Sequence, residues 1–359
     1  MRICLSMIVR NESAVIERCL RSVRPFIDAW AISDTGSSDG TQERVRSLMG
    51  ELPGELIERP WVDFATNRNH VLELAREFGD YALIIDADEV LETDAGFSWG
   101  SLYAAGYGLE FVFGASRFPR LALPRLDAGW RWDGVLHETL VRPGVTDLEV
   151  LAGVRIQVHS DGARSRLPLA EKFSRDAEVL RKALRAEPDN ARYAFYLAQS
   201  LRDAGRTGEA VAAYHARVAM GGWDEEVYFS KLQIGVLKER LGAEPAEIEA
   251  AYVEAINYRP ARAEALCELA RHLRMTQRLQ LARQFALRAA SLPLPDASIV
   301  DRTVYDWRAR DELALAAFGC GDRAESMRLL RQLLSDARLP DSEHVRVAAN
   351  LEAITKAGQ

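Results

Sequence analysis

Carboxylate and amide side chains follow three short apolar segments in the N-terminal part of the sequence. Asn11 and Glu12 come after ICLSMIV, Asp34 comes after AWAIS, and the run Asp86-Ala87-Asp88 comes after YALII. A bend at the end of a strand lets both carboxylates of an Asp-x-Asp run reach one divalent cation, and Mg²⁺ or Mn²⁺ can also hold phosphate oxygens. The spacing therefore predicts a site for a metal ion and a phosphorylated ligand.

The run Asp34-Thr35-Gly36-Ser37 is also the signature of aspartic proteases, in which two carboxylates share one proton. Single-chain enzymes of that kind carry a second copy of the run in a second β-rich lobe, and this sequence has none. Asp34 instead ends an apolar segment that leads into a helical pattern. The sequence therefore argues against a protease and favours a ligand-binding role for Asp34.

The segments that must position these side chains alternate between strands and helices. The expected N-cap of the first helix is Asn11, and Asp39 is expected to cap the second helix in a capping box with Gln42. The alternation predicts an α/β domain with a largely parallel sheet, whose ligand crevice lies outside the carboxyl ends of the strands. The predicted strands are 3–9, 29–33, 55–58 and 81–85, and the predicted helices are 12–24, 41–49 and 66–77.

The character of the sequence changes further along the chain. Residues 109–160 carry a β-rich pattern, whereas the sequence after residue 165 is almost entirely helical and repeats itself. The period is roughly 34–36 residues, with two helices in each unit, and it resembles that of tetratricopeptide repeats. The copies are 196–217, 231–256, 268–289 and 312–333, and helices at 170–186 and 341–356 are expected at the two ends of the array.

Composition excludes several classes of protein. The net charge of −7 argues against general nucleic-acid binding, and no apolar run reaches the roughly 18 residues of a membrane span. The start of the chain lacks the long apolar core of a signal peptide. The four cysteines are scattered, without a Cys-x-x-Cys run, which is typical of structural thiols in a reducing compartment. These features predict a cytoplasmic protein.

The ordered motifs of residues 1–165 resemble family 2 glycosyltransferases of the GT-A fold. LSMIVRNE resembles the first strand and its Asn-Glu loop, SDTGSSDGT resembles the nucleotide loop, and LIIDADEVL resembles the metal-binding end of a strand. FATNRNHVLELA, GVLHETL and VHSDG resemble further blocks of a bacterial subgroup that joins this domain to tetratricopeptide repeats and includes peptide S-glycosyltransferases. The resemblance predicts an α/β GT-A domain, the fold of nucleotide-diphospho-sugar transferases, at 1–165 and an all-α tetratricopeptide-like domain at 166–359.

The resemblance also implies the ligands of this domain. The donor would be a nucleotide-diphosphate sugar, with a UDP-sugar as first candidate, and the cofactor would be Mn²⁺ or Mg²⁺. Asp88 would bind the metal together with Asp86 and His159, with His137 as an additional candidate; the subgroup often has His-Tyr-Gly-Tyr where this chain has His159-Ser160-Asp161-Gly162. The residues implied to contact the nucleotide sugar are Val9, Asn11, Glu12, Asp34, Asn67, Arg68, Asp86 and Ala87.

An inverting transfer needs a general base for the proton of the acceptor. The resemblance favours Glu138, and Asp133 is the second candidate. The acceptor would be a peptide, a protein or a saccharide, because helical repeats hold extended chains on their concave surfaces, although the same surfaces also serve homodimers.

Two other functions remain open at this point. One is a non-catalytic repeat scaffold with a decayed transferase domain, which the intact Asp86, Asp88 and His137-Glu138 argue against. The other is a nucleotidyltransferase, which should carry a glycine-rich loop after its first strand. The loop in this chain, VRNES, contains no glycine.

Overall fold

A computed structural model describes residues 1–114, 116–144 and 149–356 of the chain. The chain divides into two compact units, Met1–Ala183 and Leu184–Gln359. This division falls inside the helix expected near 170–186. The predicted boundary between the two domains, at residues 165 and 166, precedes that helix and stays a prediction. Within the described residues, no helix combines the length and the apolar character that spanning a membrane requires.

Four parallel strands form the central sheet of the first unit, in the order β3-β2-β1-β4. Residues of β1 and β2 align from Cys4 opposite Ala29 to Val9 opposite Asp34, so both strands end at the same edge. All four predicted strands are confirmed to within one residue at each end. Their bounds are β1 Ile3–Val9, β2 Ala29–Asp34, β3 Gly54–Glu58 and β4 Tyr81–Ile84.

Three helices cover the two faces of this sheet. Side chains of α1 (Ile16–Val23) and α2 (Thr41–Met49) pack with Leu5 and Ile32 in one core. Side chains of α3 (Phe64–Ala75) pack with Ala31 and its neighbours in another core. Successive strand residues point to opposite faces, which explains why both faces of β1 and β2 are apolar.

The starts of the first two helices differ from the prediction. Asn11 has a left-handed backbone with φ of 57° and does not cap α1. The chain turns once more, and the N–H groups of Val15 and Ile16 donate to the carbonyl of Glu12 before the helix begins. The predicted capping box of α2 is also wrong, because Gly40 is the N-cap residue and Gln42 bonds to Asp34. Asp39 still accepts from the N–H of Thr41, the first residue of α2.

A second, mixed sheet follows β4 and confirms the predicted β-rich region. Its strand order is β5-β10-β6-β7, and β8 and β9 form a separate hairpin. Residues 115 and 145–148 of this region lie outside the described residues. The bounds are β5 Glu89–Thr93, β6 Gly106–Phe113, β7 Ser116–Pro124, β8 Arg131–Asp133, β9 Thr139–Val141 and β10 Glu149–Val158.

Helices α5 to α13 build the second unit, and each packs against the next along the chain. Four successive pairs, α5–α6 to α11–α12, correspond to the predicted repeats, and Gly205 and Gly321 take positive φ in two of the turns, as a tight helix connection requires. The bounds, after α4 at Leu169–Ala186, are α5 Ala191–Asp203, α6 Thr207–Met220, α7 Asp224–Arg240, α8 Pro245–Tyr258, α9 Glu264–Met275, α10 Leu279–Ser291, α11 Ala309–Gly319, α12 Arg323–Leu334 and α13 Asp341–Lys356.

Buried ion pairs join successive repeats of the second unit. The guanidinium of Arg262, which is 3% exposed, donates to Glu225 of α7 at 2.7 Å and to Glu264 of α9. Its Nη2 also donates to the carbonyl of Ile299 at 2.6 Å. Arg262 therefore links α7, α9 and the segment before α11.

We expect Arg262→Met to destabilise the helical unit by about 3–5 kcal/mol, because it leaves the buried carboxylate of Glu264 without its cation and leaves Glu225 with Arg259 alone. Urea unfolding followed by circular dichroism at 222 nm measures the change. Arg328→Met is the matched control, since its pair with Glu325 is largely exposed, and it should cost at most about 1 kcal/mol. Equal effects of the two substitutions would contradict the inference that the buried ion pairs of Arg262 stabilise the helical unit.

Candidate active site

The predicted polar loops meet at one edge of the central sheet. Strands β2 and β4 flank β1 on opposite sides, so the chain order reverses at β1. The loop after β1 and the loop after β4 lie on either side of this reversal, where open α/β sheets form their ligand crevice. This topology brings Asn11 and Glu12 to the same edge as Asp34, Asp86 and Asp88.

Asp34 organises the loop that follows β2. Its Oδ1 accepts from the N–H groups of Gly36 and Ser37 at 2.9 and 2.8 Å and from Nε2 of Gln42 at 3.1 Å. The contact to Gln42 explains why Gln42 does not form a capping box. Oδ2 of Asp34 is buried and has no hydrogen-bond partner among the described residues. A buried acceptor of this kind is costly unless a donor reaches it.

Hydrogen bonds join the loop after β1 to the loop after β2. The Asn11 N–H donates to Ser37 Oγ, and Asn11 Oδ1 accepts from the Ser38 N–H at 2.9 Å. Asp39 accepts from the N–H groups of Ser13 and Thr41 and from the Thr41 hydroxyl. Burial opposes the charge on Asp39, but these hydrogen bonds outweigh it and lower the pKa of Asp39 to about 2.

Arg68 is the central cation of the site. It lies in α3, is 8% exposed, and donates from Nη2 to Asp86 Oδ1 and from Nε to Glu138 Oε1, both at 2.8 Å. Burial disfavours its charge, yet the carboxylates of Asp86 and Glu138 outweigh that effect and raise the pKa of Arg68. One guanidinium thus joins the end of β4 to the loop between β8 and β9.

The same helix holds the β8–β9 hairpin in place. The side-chain amide of Asn69 exchanges hydrogen bonds with the backbone of Trp132 at 2.9 and 2.8 Å. The Trp132 ring also lies 5.0 Å from the Arg68 guanidinium carbon, within the range of a cation–π contact. Asn69 was not predicted as a site residue, although it lies in the block FATNRNHVLELA that resembles a family motif. Its role is to position the loop of Glu138.

A segment after β10, residues 159–163, lies across Asp88 and Glu12. The Gly162 N–H donates to Asp88 Oδ2 at 3.2 Å, and the Ala163 N–H donates to Glu12 Oε2 at 3.0 Å. A Cβ atom at Gly162 would lie 2.9 Å from Asp88 Oδ2, so a larger residue there would displace the Asp88 carboxylate. We call residues 159–163 the strap.

A double ion pair fixes the strap to α1. Arg18 donates from Nη1 and Nη2 to the two carboxylate oxygens of Asp161, at 3.0 and 2.6 Å. Neither residue was predicted for the site. The only signal in the sequence was that Asp161 departs from the usual motif at this place. The pair positions the strap without itself reaching the central cation, Arg68.

The predicted metal ligands are not assembled into a complete site. Among the described residues, no three His, Cys, Asp or Glu side chains lie together as a metal site would need. The Asp86 carboxylate accepts from Arg68. The His159 side chain is exposed, and the backbone N–H of His159 donates to the backbone carbonyl of Asp88 at 3.3 Å. Asp88 is half-buried, and among the described residues its side chain accepts a hydrogen bond only from the Gly162 N–H. Magnesium and manganese sites often use one or two carboxylates and take their other oxygens from substrate phosphates and water, and Asp88 fits that pattern.

Other predicted residues have structural contacts. Asn67 is completely buried and holds the backbone before α3, since its amide bonds to Val62 N–H and to the Pro60 carbonyl. The carbonyl of Val9 accepts from the N–H and the hydroxyl of Thr35. These contacts give Asn67 and Val9 a role in shaping the loops, and their predicted contact with a ligand stays untested.

Three further predicted residues occupy different environments. Ala87 is buried between the two aspartates, and His137 is exposed with φ of 54° in the β8–β9 loop. Asp133 is exposed and accepts from Arg131 at 2.9 Å. In the described residues Glu138, and not Asp133, contacts the cluster of Arg68 and Asp86.

Two carboxyl groups next to this cluster hold their protons unusually well. Burial, together with the charge of Asp88, raises the pKa of Glu12 to about 7 against the hydrogen bond from Ala163. Burial and then the charge of Asp86 raise the pKa of Glu89 to about 7. Both groups are therefore partly neutral near physiological pH, which limits the negative charge that accumulates around Asp86 and Asp88.

Comparison with known proteins identifies the fold of this region. The family model described as "Glycosyl transferase family 2" matches residues 4–95. The match covers the central parallel sheet, the loops after β1 and β2, and the Asp86–Asp88 turn. The chain therefore joins a domain that matches the family 2 glycosyltransferase model to an array of tetratricopeptide-like helices.

Curated relatives match parts of the chain. A TPR repeat-containing protein of Synechococcus elongatus is 37% identical over 95 residues, 26% of this chain and 22% of that protein. An uncharacterised glycosyltransferase of Rickettsia felis is 29% identical over 93 residues, 26% of this chain and 31% of that protein. The glycosyltransferase SunS of Bacillus subtilis is 24% identical over 224 residues, 58% of this chain and 51% of SunS. The chain thus spans about half the length of SunS and less than a third of the other two.

Among solved structures, a tetratricopeptide repeat protein from Parabacteroides merdae aligns with a TM-score of 0.41 and 21% identity, covering 52% of this chain and 68% of that chain. The MamA protein aligns with a TM-score of 0.38 and 17% identity, covering 50% of this chain and 91% of that chain. The description of the helical unit rests on its own helices and repeats.

The raised pKa of Glu12 predicts a pH-dependent stability. The folded protein binds the Glu12 proton more tightly than the unfolded chain does, so unfolding becomes easier as the pH rises from about 4.5 to about 7. Glu12→Gln removes this dependence and keeps an acceptor for the Ala163 N–H. We therefore compare the melting temperature of Glu12→Gln with that of the wild type at each pH. The variant should gain stability relative to the wild type between pH 5 and pH 8.

Thermal unfolding at a series of pH values measures this difference. Glu17→Gln serves as the control, because Glu17 lies on the neighbouring helix with a more exposed side chain. A gap between wild type and Glu12→Gln that stays constant from pH 5 to pH 8 would rule out Glu12 as the group responsible.

Proposed function

We propose that this protein is a metal-dependent, inverting glycosyltransferase that moves a sugar from a nucleoside diphosphate sugar to an acceptor. The observation that carries the proposal is the cluster of Arg68, Asp86, Asp88 and Glu138 at the carboxyl edge of the sheet, inside a domain of glycosyl transferase family 2. The domain provides the fold for nucleotide-sugar chemistry, and the cluster provides charged groups for the reacting centre.

The nucleotide is assigned to the loops after β1 and β2. Oδ2 of Asp34 is an acceptor without a donor, and a base with an imide N–H, such as uracil, supplies one. Asn11 and Glu12 line the neighbouring loop, so the ribose would lie between the two loops. A uridine diphosphate sugar is therefore the first donor to test.

The cation is assigned to Asp88, with the donor diphosphate and water completing its ligands. Once bound, Mg²⁺ or Mn²⁺ would act as a Lewis acid toward the negative charge that develops on the leaving diphosphate. His159 is the second candidate ligand, because its backbone N–H already lies at the Asp88 carbonyl. Asp86 serves a different purpose here, since it holds Arg68 in the site.

Glu138 is assigned as the general base. Arg68 binds one of its oxygens, Oε1, and thereby fixes the direction of the carboxylate. The other oxygen accepts no hydrogen bond from the described residues and is available for the proton of an acceptor. Asp133, the alternative, is exposed and paired with Arg131. Proton transfer of this type requires the base within hydrogen-bond distance of the acceptor group.

A peptide or protein is the acceptor that the second unit favours. Arrays of paired helices present extended surfaces that hold chains. A saccharide acceptor and a homodimer through the repeats remain alternatives. Acceptor screening with peptides and oligosaccharides, together with analytical ultracentrifugation, separates these possibilities.

The first test is hydrolysis or transfer of UDP-, GDP- and dTDP-sugars with and without MnCl₂. We expect release of nucleoside diphosphate and loss of activity on the order of a hundredfold or more in Asp88→Asn, because the charge on the leaving group is no longer compensated. Asp94→Asn is the matched control, since Asp94 is exposed and paired with Arg155, and it should keep its activity.

Other outcomes identify the competing functions. Release of pyrophosphate from a nucleoside triphosphate in the presence of a sugar phosphate would identify a nucleotidyltransferase. An absence of turnover with every donor, together with equal behaviour of Asp88→Asn and wild type, would favour a non-catalytic scaffold.

The second test distinguishes the two candidate bases. Glu138→Gln should lower kcat by about 10²–10⁴-fold, because amide oxygen is a poor proton acceptor, while the affinity for the nucleotide stays close to that of the wild type. Asp133→Asn should retain kcat. Steady-state kinetics with the active donor measure both variants, and the reverse result would move the base to Asp133.

A further inference from the structure

Arg120 lies at the candidate site but belongs to none of the motifs of the sequence. It is part of β7, which runs beside β4. Arg125, the residue after β7, forms an antiparallel bridge with Tyr81 at the start of β4. Because the strands run in opposite directions, the residues of β7 before this bridge extend toward the carboxyl end of β4. Arg120 therefore approaches the turn that contains Asp86.

The guanidinium of Arg120 is held in position without using its hydrogen-bond donors. Its carbon lies 3.8 Å from the centre of the Phe111 ring, and its Nη2 lies 3.7 Å from Glu89 Oε1. No hydrogen bond joins the Arg120 side chain to any residue in the part of the chain that the structure describes. The side chain is 43% exposed. Stacking on an aromatic face orients the planar group while its edge stays open to a ligand.

Its neighbours show that this charge acts on the site. Burial would raise the pKa of Asp86, but Arg68 first and Arg120 second outweigh it and hold that pKa below its ordinary value. Arg68 uses its Nη2 and Nε donors on Asp86 and Glu138. Arg120, in contrast, makes no side-chain hydrogen bond to the described residues, and its guanidinium lies beside Glu89, the residue that follows the Asp86–Asp88 turn.

We propose that Arg120 binds the diphosphate of the donor and stabilises it as the leaving group. This inference rests on the proposed glycosyl transfer, in which the bond from the sugar carbon to the diphosphate oxygen breaks and its electron pair stays on the diphosphate. An arginine offers two parallel N–H donors that match phosphate oxygens. Arg120 thus adds a protein cation on the side of the site that faces the second sheet, opposite the nucleotide loops.

Calorimetric titration tests the proposal without requiring turnover. The probes are UDP, GDP and dTDP in the presence of MnCl₂, and uridine, guanosine and thymidine as ligands that lack the diphosphate. Arg120→Met should weaken binding of the preferred diphosphate by about tenfold or more and leave binding of its nucleoside unchanged. Arg120→Lys should recover part of the loss, because it restores the charge but not the planar fork.

Arg117→Met is the matched control. Arg117 lies on the same strand with an exposed side chain, and it is paired with Glu110 at 2.9 Å, so its removal should leave diphosphate binding intact. Thermal unfolding of all variants verifies that the domain is folded.

The outcomes separate this inference from the proposed function. If the wild type binds no nucleoside diphosphate, the proposed function fails. If the wild type binds one and Arg120→Met binds it equally well, Arg120 is not a diphosphate ligand. If that variant loses only affinity for the acceptor, measured as a rise in the acceptor KM, then Arg120 recognises an anionic group of the acceptor and the proposal is overturned.

Discussion

The buried guanidinium of Arg68 is the interaction on which the candidate site depends. A charge that is removed from water is unfavourable unless nearby opposite charges and hydrogen bonds replace its solvation. Asp86 at the end of β4 and Glu138 in the β8–β9 loop supply that replacement at 2.8 Å each. Three elements that are distant in the sequence are therefore held together by one side chain. Removal of Arg68 would leave both carboxylates without the cation that they share.

The loops around this centre are fixed by the backbone as much as by side chains. N–H groups of the strap reach Asp88 and Glu12, and N–H groups of the β2 loop reach Asp34. These donors orient the carboxylates of Asp88, Glu12 and Asp34, so the fold itself holds these acceptors in place. The glycine at 162 is part of this design, because a side chain there would collide with the carboxylate that the segment covers.

Much of this arrangement could be predicted from the sequence, and the rest could not for physical reasons. Apolar periodicity located β1 to β4 and the repeats, and the order of strands implied that Asp34 and Asp86 would share an edge. The start of α1 was wrong because Asn11 adopts a left-handed conformation that its tertiary contacts with Ser37 and Ser38 stabilise. The capping box of α2 was wrong because Gln42 turns to Asp34 instead.

Pairs far apart in the sequence were also missed. The contact between Arg68 and Glu138 spans 70 positions, and the contact between Arg18 and Asp161 spans 143. Local sequence patterns do not identify such pairs, since the sequence around each residue is that of an ordinary surface charge. They can be recognised only once the fold brings the elements together.

The helical unit uses charge in a different way, with acids and arginines that repeat along the array. Arg192 meets Glu226, 34 positions later, Arg274 meets Glu312, 38 positions later, and Asp311 meets Arg346, 35 positions later. Each pair joins the first helix of one unit to the corresponding helix of the next or to the final helix. Apolar packing between helices tolerates sliding, whereas a half-buried ion pair is satisfied in one register. The spacing of these charges therefore fixes how successive repeats stack, and it does so through contacts that the apolar pattern of the repeat does not reveal.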